Sequence, residues 1–155
     1  VIEREGCFLV TRRQTGVHLA GMWEFPGGKT NAAETHADAL KREIKEELDA
    51  DVDVHDLVLA TSHAYPERIV VLHFYRCALK GTPRPLLGQE MRWAPREELA
   101  ALGFPPADEE LIRMLVGGHE RDGGAGVLGE PLRRANHVGR DDGADGRELA
   151  DRIGR

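Results

Sequence analysis

No run of apolar residues in the chain comes near the roughly 18 that a membrane-spanning helix needs, and no amino-terminal signal pattern is visible. These absences set the expectation of a cytoplasmic protein with no membrane partner. Cysteine is scarce. Cys7 and Cys77 are the only two, and they lack the spacing of a disulfide framework or a metal site, so they read as small buried apolar residues in a reducing compartment. Positive charge is in deficit as well. A formal net charge of −6 and a pI of about 5.6 argue against direct nucleic-acid binding, whose footprint is a basic face. No internal repeat is present. The chain opens at Val1 rather than Met, and the expectation is a shortened amino terminus with part of an opening strand missing.

What is there suffices for one domain, since 155 residues can bury a substantial core. Composition changes near Val116. Residues 117–155 hold ten of the 18 glycines, no aromatics and mixed charge. Such a stretch buries too little apolar surface to offset the entropy of ordering. It is expected to be a disordered tail, with a short helix conceivable over 146–154. The folded domain is therefore expected over residues 1–116.

Within that part, strands and helices alternate. Residues 7–13 read as a strand. Residues 52–65 and 68–81 are rich in β-branched and apolar residues, and the turn "PER" (66–68) makes them a hairpin. Residues 90–95 read as a short strand ended by proline. Residues 95–102 open with proline and acids, as a helix start does. Residues 107–116 read as a terminal helix stopped by Gly117 and Gly118.

The clearest element is a central helix. Thr35 and Asp38 resemble a capping box, and Ala37, Leu40, Ile44 and Leu48 recur at helical spacing as an apolar stripe. With that stripe on a sheet, Glu43, Glu46 and Glu47 fall together on its flank. Like charges at i, i+4 repel by a few tenths of a kcal/mol, which raises the question of what offsets them. Lys41, Arg42 and Lys45 would make an ordinary solvated face. Upstream, however, Pro26, Gly27 and Gly28 lead into the helix, and a glycine pair lets backbone approach a ligand closely. A loop carbonyl beside clustered carboxylates is an oxygen-rich site suited to a hard divalent cation.

These residues carry a resemblance. Gly28, Glu34 after five residues, and Arg42-Glu43-Ile44-Lys45-Glu46-Glu47 after seven more resemble the Nudix box, G-x5-E-x7-R-E-U-x-E-E-x-G-U, where U is a bulky aliphatic. The flanking "TRR", "WEFPGGK", "YPER", "GQEMRW" and "FPPAD" resemble the MutT-type branch, in order. The resemblance covers residues 1–116. It implies an α/β fold, the Nudix α/β/α sandwich with a mixed β-sheet. It also implies hydrolysis of a nucleoside triphosphate substrate to the monophosphate and pyrophosphate, with Mg²⁺ or Mn²⁺ as cofactor, by a monomer or homodimer. The Gly27 carbonyl, Glu43, Glu46 and Glu47 would hold the metal, the three glutamates also serving as catalytic acids. Glu34 and Arg42 would pair and brace the loop against the helix. Arg13 would approach the phosphate or nucleotide, and Phe25, Arg68 and Asp108 match positions that line the base pocket. The ordinary alternative for Arg13 and Arg68 is a solvated charge at a strand end. Trp23, Phe74 and Trp93 read as core or pocket wall.

The sequence departs from the pattern twice. Asp49 stands where the box has glycine, with Ala50 at the following aliphatic position; aspartate tolerates the left-handed conformation better than most residues. Leu87 stands where MutT-type enzymes keep a glutamate. Either Glu90 substitutes, or the box glutamates act alone. The implied substrate is an oxidised guanine nucleotide such as 8-oxo-dGTP. Asp108 replaces the asparagine of that branch, which makes a (d)CTP-type pyrophosphohydrolase the runner-up. A non-catalytic reader of oxidised guanine is the third reading, disfavoured by the nearly complete acidic box.

Overall fold

The computed structural model describes residues 1–118, so the expected tail lies, but for its first two residues, outside the described residues. Strand β1 (Glu3–Arg4) turns back on β2 (Cys7–Arg12). Glu5 and Gly6 make that turn with φ of 52° and 75°, the double positive φ of a tight hairpin. β2 also pairs antiparallel with β3 (Trp23–Glu24) and with β6 (Met91–Pro95). The long hairpin of β4 (Asp51–Tyr65) and β5 (Arg68–Lys80) forms a second antiparallel sheet. A parallel bridge between Ile2 and Cys77 ties the two together, which gives the mixed pairing expected.

Strand β2 is buried on both faces, as a central strand between helical layers must be. Phe8 and Val10 enter a core with Phe25, Val70, Leu72, Phe74, Leu99, Leu111 and Ile112. Leu9 points the other way, into a core with Ile2, Ile44, Leu48, Ala50, Val52 and Cys77. Helix α1 (His36–Leu48) supplies Ile44 and Leu48 on one side, and α2 (Glu109–Gly117) supplies Leu111 and Ile112 on the other. This is the α/β/α layering. Trp23 and Phe74 belong to the first core, and Trp93 packs against the second.

Some boundaries differ from expectation. Arg96–Ala101 is a 3₁₀ turn rather than an α-helix, and Pro95 both ends β6 and caps that turn. The terminal helix is preceded by a separate 3₁₀ turn, Pro106–Asp108. In α1 the fully buried alanine is Ala39, with Ala37 only half-buried. The short strands β1 and β3 were not foreseen, because two residues carry no periodicity. The capping box is half realised. Thr35 Oγ1 accepts from the Asp38 N–H at 3.1 Å, while the Asp38 carboxylate takes the Thr35 hydroxyl at 2.9 Å rather than a backbone amide. No helix among the described residues is long and apolar enough to cross a membrane.

Candidate active site

The three glutamates of α1 occupy three different environments. Glu47 is buried at 8% exposure, Glu43 is half-buried and Glu46 is exposed. Arg42 organises two of them. Its guanidinium donates to Glu34 at 2.7 and 2.9 Å, to Glu43 at 2.6 Å, to Glu46 at 3.5 Å, and to the Lys29 carbonyl at 2.9 Å. One cation thus ties the glycine loop, Glu34 and the helix face together. The Arg42 bond, with the Asn31 N–H, holds the Glu34 carboxyl down at about 2. Glu34 and Glu43 together push the Arg42 pKa further up.

Gly28 is required by proximity. A Cβ built there would lie 2.3 Å from the Glu43 carboxyl carbon and 2.5 Å from an oxygen, well inside any real contact. The loop therefore presses its backbone onto the Glu43 carboxylate at Gly28, while Gly27 packs toward Leu40. At the helix end, Asp49 adopts φ 49°, ψ 38°, the left-handed cap. Arg84 pairs with its carboxylate and, with Lys45, lowers its pKa. The substitution of aspartate for glycine is thus accommodated by a cation on the cap.

A loop from β5 closes over the last turn of α1. The Arg84 N–H donates to the Leu48 carbonyl, and the Leu86 N–H to the Glu47 carbonyl. Buried Gln89 donates to the same Glu47 carbonyl at 3.1 Å and accepts the Leu87 N–H at 2.9 Å. A small cavity results, lined by Thr11, Arg13, Glu24, Glu47, Leu87 and Gln89. Glu90 does not line it; its carboxylate is exposed and paired with Arg12 at 3.2 Å.

Arg13 also lines a second cavity, with Tyr65, Arg68, Ala107 and Asp108. Its burial rules out the ordinary alternative of a solvated charge at a strand end. The side chain is buried, donating to Glu24 at 2.7 Å and to the His18 carbonyl at 2.7 Å. Asp108 is 1% exposed. Phe25 lies apart from this cavity. It is a core residue stacked on Phe104 with ring centres 5.3 Å apart, and edge-on to Phe74. Two contributors escaped the sequence reading. Glu24 left one signal, an acid between Trp23 and Phe25. Gln89 left none.

A NUDIX domain family model matches residues 1–114. The chain belongs to the Nudix family. It is 38% identical over 112 residues to an 8-oxo-dGTP diphosphatase of Haemophilus influenzae, covering 72% of this chain and 82% of that protein. It is 34% identical over 117 residues to a CTP pyrophosphohydrolase of Escherichia coli, covering 75% and 87%. A solution structure of a MutT protein of the Nudix hydrolase family from methicillin-resistant Staphylococcus aureus superposes with a TM-score of 0.62 at 37% identity, covering 76% of this chain and 91% of that one.

In this Nudix chain no three acidic, histidine or cysteine side chains converge as a ready metal cage among the described residues. Glu43 faces Arg42 and Glu46 faces solvent. The donor chemistry still suits a hard cation, because the candidate donors, three carboxylates and a loop carbonyl, are all oxygens. The space at Gly28 is kept clear for the Glu43 carboxylate.

Proposed function

We propose that the chain is a Mg²⁺-dependent nucleoside triphosphate pyrophosphohydrolase that acts on oxidised guanine nucleotides such as 8-oxo-dGTP, releasing the monophosphate and pyrophosphate. The observation that carries this is the shared wall of Arg13. One cavity holds Glu47 and the other ends at Asp108, so an acidic end and a mainly apolar recess closed by a buried acid adjoin.

In this reading Glu43, Glu46, Glu47 and the Gly27 carbonyl hold the cation. When bound, a divalent cation neutralises phosphate charge and lowers the pKa of a water. Arg42 and Glu34 keep the loop and helix in register. Arg13, fixed by Glu24, positions the nucleotide between the two cavities. Arg68 flanks the base, and Asp108 accepts a hydrogen bond from its exocyclic amino group. Glu47 takes the proton of the attacking water, because Leu87 cannot and Glu90 stands outside the cavity on Arg12.

A (d)CTP substrate is the second reading, favoured by Asp108 and by the relative named for CTP. The test is Mg²⁺-dependent pyrophosphate release from 8-oxo-dGTP, dGTP, dCTP and CTP. Highest kcat/KM on 8-oxo-dGTP supports the first reading. Highest kcat/KM on a cytosine nucleotide overturns it for the second, and no release from any overturns both.

A further inference from the structure

A separate cleft lies between the start of α1, the Gly27–Thr30 loop and β5, lined by Phe25, Thr30, Leu40, Val71, His73 and Tyr75, with His36 at its rim. It holds chemistry that phosphate hydrolysis does not use. His36 occupies the first turn of α1. His73 and Tyr75 stand two apart on β5, so they share one face of the strand. The His36 and His73 rings lie with centres 4.3 Å apart, tilted by 41°. The His36 Nδ1 contacts the Tyr75 hydroxyl at 2.9 Å.

We propose that His36 and His73 form a second metal site, selective for a borderline divalent cation such as Zn²⁺ and distinct from the oxygen site on the box helix. Imidazole nitrogen suits Zn²⁺, Ni²⁺ and Cu²⁺, whereas carboxylate and carbonyl oxygens suit Mg²⁺. Two such donor sets in one chain sort the two classes of ion. With the Nδ1 proton donated to Tyr75, His36 leaves its Nε2 lone pair for the metal, the arrangement in which a partner group fixes the ligand's tautomer. Zn–N bonds of about 2.0–2.1 Å require one nitrogen of each ring to converge on the ion, and the two ring centres already lie 4.3 Å apart. Water completes the shell, since two imidazoles leave positions open. An ion held here joins the first turn of α1 to β5, alongside the loop that carries Gly27. The site stands whether or not the proposed substrate is right.

The test is titration of Zn²⁺ alone into the full chain at saturating Mg²⁺, read by calorimetry and by the imidazole resonances. One saturable Zn²⁺ per chain is expected, moving the His36 and His73 resonances first and raising the Tm. His36→Gln and His73→Gln each abolish it, and the control His63→Gln leaves it intact. Tyr75→Phe, which keeps both rings, weakens binding about tenfold, as loss of an outer partner does. Absence of saturable binding in the parent, or binding that survives both histidine variants, overturns the site. Because the resonance shifts are read on the parent, a variant that fails to fold leaves the test standing.

Discussion

The acidic face takes its carboxylates from a single helix, whereas the Asp108 cavity is assembled from three separate segments: Arg13 to Leu19, Tyr65 to Leu72, and Pro105 to Asp108. The first construction is local. Spacing along α1 fixes which groups neighbour one another, and one arginine locks them to the loop. The second depends on the whole fold, because β2, the hairpin and the turn before α2 must all be in place. On the proposed reading, chemistry resides where geometry is least dependent on tertiary structure, and choice of base where it is most dependent. Substitutions at the first end are expected to act on kcat, and those at the second on selectivity.

The sharpest break comes at the acidic end. Glu47→Gln should lower kcat by about 10²–10⁴-fold, the span of general acid–base assistance, and Glu46→Gln should also lose most of kcat. Circular dichroism should show the fold intact in both. Near-parental turnover in both at saturating Mg²⁺ would sink the assignment. Next, Leu87→Glu places an acid in the cavity beside Glu47 and should raise kcat by up to about tenfold, less than the full range of a general base because Glu47 already serves. Glu90→Gln should be nearly neutral in either background. Strong impairment by Glu90→Gln alone would show that the Arg12-paired acid swings inward.

At the distal end, Asp108→Asn replaces an acceptor by a group that both donates and accepts. It should shift the ratio of kcat/KM between 8-oxo-dGTP and dCTP by several-fold, roughly the worth of one hydrogen bond, with kcat little changed. Equal loss on every nucleotide would show that Asp108 holds structure rather than reading the base.

The brace of Glu34 gives a smaller, pH-dependent signature. Its folded pKa of about 2 lies below the usual 4.5, so the native state binds fewer protons than the unfolded one. The contribution is therefore whole above pH 4.5 and is lost as pH falls through about 2. The Tm difference between the parent and Glu34→Gln should stay constant from pH 7 to 4.5 and close toward pH 2. A difference unchanged at low pH would separate the brace from its ion pair. The least effect is expected from ending the chain after Gly118, which should leave Tm and turnover nearly as they were. A fall of many degrees would mean that residues 119–155 pack on the domain.

Legibility in the sequence followed the same division. Helix α1 and its glutamates were readable because period, cap and box spacing all fall within about two dozen residues of Gly28. The left-handed cap at Asp49 was readable because the box position itself asks for that conformation. The bonds of Glu24 and Gln89 and the core packing of Phe25 were not, since each is decided by partners on other elements. Gln89 meets Glu47 across 42 positions, and no local pattern encodes such a meeting. The 3₁₀ turn at Arg96–Ala101 carried the same start signals as an α-helix but only six residues, and the signals do not state how far a turn propagates.

The clasp between the 84–89 loop and the end of α1 bears on how this protein can be recombined with its relatives. Gln89 and the amides of Arg84 and Leu86 all bind carbonyls of Glu47 or Leu48. A chimera that imported a glutamate-bearing loop but left out the glutamine would release the helix end at the position where Glu47 is set. The transplantable module is thus a noncontiguous pair, the final turn of α1 with the whole 84–89 loop, and crossovers that part them are expected to yield folded chains with a slackened Glu47 carboxylate.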